Sequence, residues 1–154
     1  MTMPAHLPSV SASVCYKDPK AALKWLEKAF GFEPFMVILN ENDELMHSEM
    51  RFGDGVVMIG SEWSPMHKSP ASIDGLNTQT VHVQMKNDVD AHCDRARNAG
   101  AKIVREPETQ FYGDRTYRAA DPEGHIWSFG QTVKQMTPEQ WDAAVPGIKT
   151  RTRL

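Results

Sequence analysis

Cysteine is scarce in this chain. Only Cys15 and Cys93 occur among 154 residues, in neither C-x-x-C nor zinc-type spacing, which excludes a disulfide scaffold and a cysteine-built metal centre. Both are expected as free thiols in a reducing compartment. No apolar run approaches the roughly 18 residues of a spanning helix, so no membrane partner is expected. Positive charge is not in surplus either. Lys and Arg number 17 against 20 Asp and Glu, a net charge of −3, which offers no broad attraction to nucleic acid. The opening MTMPAHLPSV lacks a basic segment followed by an apolar one, so no signal peptide is expected, and the protein is read as soluble and cytoplasmic. G-x-S-x-G, a phosphate loop and G-x-G-x-x-G are all missing. What remains is globular composition, 40% hydrophobic and 24% charged. At this length about 70% of the chain's surface can be buried, so a stable core requires neither disulfide nor metal.

The chain repeats itself. Asp18 opens DPKAALKWLEKAFGF and Asp88 opens DVDAHCDRARNAGA; both read as helices with an Asp N-cap. Ala22, Leu26, Ala29 and Phe30 recur at helical spacing in the first, Val89, Cys93 and Ala96 in the second. Gly31 and Gly100 follow, each suited to a left-handed residue after the helix. Gly31 to Gly55 is 24 residues, and so is Gly100 to Gly124. Strand-like runs surround the helices: Ser9–Tyr16, Pro34–Leu39, Leu45–Phe52 and Gly55–Ser61, then Thr78–Lys86, Ala101–Glu106, Arg115–Ala119 and His125–Gln131. The expected organisation is one domain over residues 1–154. Module one spans 9–61, a Pro- and Ser-containing linker 62–77 and module two 78–131; a C-terminal helix and tail fill 132–154. Thr137-Pro138-Glu139-Gln140 is a capping-box pattern for a helix ending near Ala144.

A duplicated strand–helix–three-strand unit carrying Tyr112-Gly113-Asp114-Arg115 and Asp121-Pro122-Glu123-Gly124-His125-Ile126-Trp127-Ser128-Phe129-Gly130 resembles the vicinal-oxygen-chelate superfamily. This is the glyoxalase, bleomycin-resistance and dioxygenase group, and the likeness is to its glyoxalase-like or PhnB-like branch. It covers about residues 9 to 131. It implies an α+β fold of two tandem βαβββ modules whose curved mixed sheets line a cavity, and it implies a homodimer. The scaffold hosts lyases, epimerases, ring-cleaving dioxygenases and antibiotic-sequestering proteins, so function rests on the site.

Metal-dependent relatives place a His, Gln or Glu on the first and last strand of each module. Counted from the helix caps and turn glycines, those positions here are Ser11, Ile59, Thr80 and Ser128. None is an ordinary ligand, so no metal and no cofactor are expected. Alternation puts Ala12, Val14 and Tyr16 on one face of the first strand and Ser11, Ser13 and Cys15 on the other. It opposes Val81, Val83 and Met85 to Thr80, His82 and Gln84. The polar faces are expected to meet the ligand. His82 is the candidate catalytic group, because imidazole titrates near neutrality, and the alternative for it is a satisfied structural histidine. His47 and Glu49 form the other cluster of ligand type. Arg115 is a candidate for an anionic or carbonyl group, with a surface ion pair as its alternative. Tyr112 and Trp63 are candidate walls. The expected ligand-binding set is therefore Ser11, Ser13, Ile59, Thr80, His82, Gln84, Tyr112, Arg115 and Ser128. The expected function is metal-free binding of an aromatic or amphipathic small molecule, the alternative a divalent-metal lyase or isomerase of the glyoxalase type.

Overall fold

A computed structural model describes residues 7–154. The first half runs β1 (Ala12–Tyr16), α1 (Pro19–Phe30), β2 (Glu33–Leu39), β3 (Leu45–Phe52) and β4 (Gly55–Ser61). A short 3₁₀ turn, Pro70–Ser72, lies between the halves. The second half runs β5 (Val81–Met85), α2 (Val89–Asn98), β6 (Lys102–Thr109), β7 (Asp114–Ala120) and β8 (Ile126–Thr132), and α3 (Pro138–Ala144) follows. The two four-stranded sheets are ordered β1-β4-β3-β2 and β5-β8-β7-β6. The β1–β4 and β5–β8 pairs are parallel and the others antiparallel. This is the two-module α+β architecture read from the sequence.

The helix signals act as read. Asp18 accepts from Ala21 N at 3.0 Å and Asp88 from Ala91 N at 3.4 Å. Gly31 sits at φ +74°, a conformation that costs glycine nothing. At α3, Thr137 and Gln140 cap each other reciprocally. The first and fifth strands are shorter than expected. They begin at Ala12 and Val81 rather than Ser9 and Thr78, because only from those positions do β4 and β8 supply backbone partners.

One core joins both halves. Phe30 and Phe32 from the first half meet Phe129 and Trp127 of β8, with ring centroids 4.7 Å (Phe30–Phe129) and 5.3 Å (Phe32–Trp127) apart. His92 lies inside this core. Its Nε2–H donates to the Phe30 carbonyl at 2.8 Å, so Nδ1 carries a lone pair and accepts from the Tyr117 hydroxyl at 2.6 Å. Burial pushes its pKa below the ordinary imidazole value. Arg95 of α2 reaches the last turn of α1, donating to the carbonyls of Lys28 and Glu27, each at 2.9 Å.

The D-P-E-G-H turn forms a second clasp between the halves. Asp121 Oδ1 accepts from Glu123 N and His125 N, while Oδ2 accepts from Tyr16 Oη at 2.6 Å and Trp127 Nε1 at 3.1 Å. Glu123 accepts from Lys17 N, Asp18 N and Ser69 Oγ. The residues carrying the resemblance thus hold module two against β1, α1 and the linker.

Both sheets turn one face to this core. Val14 pairs with Ile59 and Val83 with Phe129, and all but the half-buried Val83 are fully enclosed. The other face carries the chemistry.

Candidate functional site

β1 and β5 are edge strands of their sheets and flank a common groove. Ser11, Ser13, Thr80 and His82 line this groove, of about 550 Å³, with Val10, Ala12, Gln79 and Val81. Ser11 Oγ is buried with no hydrogen-bond partner among the described residues. A second recess of about 350 Å³ continues from it, adding Phe52, Val83 and Gln84 and reaching the core residues Phe32 and Trp127.

His82, Gln84 and Ser128 form a network whose proton positions can be deduced. Gln84 Nε2 donates to Asp114 Oδ2 at 3.1 Å and to Thr132 Oγ1 at 3.2 Å. The carboxylate fixes the amide, so Oε1 faces His82 Nε2 at 2.9 Å and must accept. With Nε2 protonated, neutral His82 has its lone pair on Nδ1, which accepts from Ser128 Oγ at 3.0 Å. Gly130 makes this possible. A Cβ there would stand 3.0 Å from His82 Cε1 and 3.2 Å from Gln84 Oε1, so glycine lets both side chains lie across β8. The lone pair a general base would use is occupied, and the arrangement suits hydrogen bonding to a bound molecule rather than proton abstraction.

Three predicted residues are placed away from this face. Ile59 is fully buried beside Val14 on the core side, and Met58 occupies the open-face position equivalent to Ser128. The reason is a one-residue slip. In the strand register Val56 corresponds to Ile126, so Gly55 corresponds to His125 and not to Gly124, and counting from the two glycines reverses the face. Arg115 pairs with Gln131 and points toward α2, where its guanidinium forks onto Asp90 with contacts of 2.9 to 3.1 Å. Tyr112 lies in the β6–β7 turn, edge-on to Phe111 at 5.2 Å, and does not line the groove.

A third cavity of about 190 Å³ lies between β1, the linker and the start of β8, lined by Cys15, His67, Lys68 and His125 among others. His125 Nε2–H donates to the Cys15 carbonyl at 2.7 Å. Burial, then Glu62, pushes the Cys15 thiol pKa upward, so the thiol is not activated. Trp63 is 71% exposed and stacks on His67 at 4.1 Å.

The open-face positions of β4 and β8 are Val56, Met58 and Gly60, and Ile126, Ser128 and Gly130. They offer no carboxylate or imidazole, so this donor set does not fit a divalent ion in the superfamily's usual place. Among the described residues no three His, Cys, Asp or Glu side chains converge. No described helix is long and apolar enough to cross a membrane.

Comparison with known proteins agrees with this architecture. The Glyoxalase/Bleomycin resistance protein/Dioxygenase superfamily matches residues 7–129. An uncharacterized protein of Mycobacterium bovis is 32% identical over 142 residues, covering 90% of this chain and 92% of that protein. The crystal structure of TioX from Micromonospora sp. ML1 superposes with a TM-score of 0.67 at 31% identity, covering 84% of this chain and 99% of TioX. TnmS3, an antibiotic binding protein from Streptomyces sp. CB03234, shares the fold at TM-score 0.62 and 18% identity, with 86% and 98% coverage.

Proposed function

The chain belongs to the Glyoxalase/Bleomycin resistance protein/Dioxygenase superfamily, and from that premise we propose that it is a small-molecule-binding protein that sequesters an aromatic or amphipathic compound between β1 and β5. The observation that carries this reading is the hydroxyl-rich groove backed by an apolar recess. Ser11, Ser13, Thr80 and His82 supply polar contacts, and Val10, Phe52 and Val81 supply apolar area. Ser11 Oγ, buried and unpartnered among the described residues, is a group that gains a hydrogen bond when a ligand arrives. The antibiotic-binding relative with the same fold supports a binding role.

The working form in this reading is a cytoplasmic homodimer. β2 is an edge strand, and its Val37, Ile38 and Leu39 are each at least 44% exposed; such edges favour pairing or cover.

The test is a thermal-shift screen of aromatic and amphipathic compounds on chelator-treated protein. A ligand at a hundred times its Kd adds about 2.7 kcal/mol of stability. Hits are expected whose shifts shrink in His82→Ala and Thr80→Val and survive in Arg115→Ala, since Arg115 faces the other way. A broad screen without hits refutes the reading. Purified protein carrying one equivalent of zinc, nickel, iron or manganese transfers the assignment to the metal-dependent lyase or isomerase.

A further inference from the structure

We propose that the open face of the first sheet is a subsite for a positively charged group on an apolar or aromatic ligand, with Glu49 as its counter-charge. The inference rests on the binding role above and adds the charge of the ligand.

Glu49 is the anomaly of that face. Its neighbours Ser48 and Met50 pair with Ile59 and Val57 on the core side, so Glu49 points the other way. Its side chain is nevertheless only 5% exposed. Oε1 is taken by His47 Nε2 at 3.0 Å, but Oε2 is fully buried and no donor reaches it among the described residues. A carboxylate oxygen withdrawn from water without a partner is costly, and a bound donor or cation removes that cost.

The surroundings specify the kind of cation. Across the strands Glu49 pairs with Met36 on β2 and Met58 on β4. Thioethers offer an adaptable apolar surface with a preference for aromatic rings. A divalent ion asks for several oxygen ligands; of the charged or titratable neighbours on this strand face, His47 already spends Nε2 on Glu49 and the Arg51 guanidinium is paired with Glu33 at 3.1 Å. An organic ammonium or a protonated heteroaromatic ring fits instead.

The internal repeat places opposite charges at one pair of corresponding positions. One row across the first sheet reads Met36, Glu49, Met58, Ser13. Its counterpart in the second reads Arg105, Arg118, Ser128, His82. The equivalence is structural, because both rows contain the same register shift, between Pro34 and Met36 and between Ile103 and Arg105. Glu49 and Arg118 thus hold corresponding places. A cationic group is drawn to Glu49 and repelled at the corresponding place, Arg118, which orients the ligand.

The experiment uses a matched pair of fluorescent probes, 9-aminoacridine, a cation at neutral pH, and acridine, which is then mostly neutral. Each is titrated into wild type, Glu49→Gln and Glu49→Met, with the melting temperature of each protein recorded. Wild type is expected to bind the cation about tenfold or more tightly over the neutral ring. Both variants are expected to lose that preference, keep their affinity for acridine, and melt at or above the wild-type temperature. An unchanged preference in the variants overturns the proposal, as does its absence in wild type. Variants that melt well below wild type mark Glu49 as structural and also overturn it. Stoichiometric zinc or manganese binding that Glu49→Gln abolishes reassigns the subsite to a metal and overturns the organic cation. If compounds from the wider screen bind in a His82-dependent way while Glu49 variants are silent, this inference falls and the binding role stands.

Discussion

Replacing Tyr16 by phenylalanine tests the clasp that sets the two sheets side by side. Tyr16 and Asp121 are 1% and 5% exposed, and the hydroxyl donates to Oδ2 at 2.6 Å. The substitution removes one oxygen and creates almost no cavity, so its cost is the lost bond plus the carboxylate's lost donor. A hydrogen bond to a charged group contributes about 1.5–3 kcal/mol. Trp127 Nε1 still serves the same oxygen at 3.1 Å, which favours the lower half of that range, about 2 kcal/mol. For a chain of this length that lowers the melting temperature by roughly 4–8 °C. The assay is urea denaturation of wild type, Tyr16→Phe, Asp121→Ala and the double variant. Asp121→Ala strands four donors and is expected to cost more, about 3–5 kcal/mol. The Tyr16–Asp121 coupling should exceed about 1 kcal/mol. A cost for Tyr16→Phe below about 0.5 kcal/mol, or a coupling near zero, refutes the clasp.

Two further outcomes follow from buried groups and backbone. The His92 pKa is depressed in the folded protein, so the unfolded chain takes up a proton the folded one refuses; stability is intact above pH about 6.5 and falls as pH drops below it. Denaturation curves of His92→Gln should show a shallower loss than wild type between pH 7 and 5, and equal slopes contradict the assignment. Gly113 has φ +98°, and a Cβ there would collide with the Lys134 carbonyl oxygen, whereas Gly53, at φ +57°, has open space around it. Gly113→Ala should therefore cost more than about 3 kcal/mol and Gly53→Ala about 1 kcal/mol, and equal costs in denaturation would contradict that packing.

The duplication was legible because helix caps and turn glycines are local signals, fixed by backbone chemistry near each residue. Period-two alternation likewise placed Ser13, Thr80 and His82 on one face, since one apolar side must meet the helices. Ile59 was misplaced because a turn glycine marks a turn and not the first paired residue. Gly55 corresponds in register to His125 rather than Gly124, and one residue of slip reverses a face. His92 lies three residues after Val89 on the same buried helix face. Its polarity concealed a core position that Phe30 O and Tyr117 make tolerable. Arg115 was ambiguous in the sequence, and its tie to Asp90 is a contact between distant segments that no local pattern encodes. Glu49 was visible only as part of a short H-x-E. Its burial and unmatched oxygen arise from neighbours on two other strands.

The most direct test of the proposed role is a crystal structure of the protein with a compound from the thermal-shift screen. The predicted result is ligand density in the groove between β1 and β5, touching Thr80 and His82, with its apolar part toward Val10 and Phe52. Density elsewhere, or a cation in that groove gripped by protein side chains, would contradict the account.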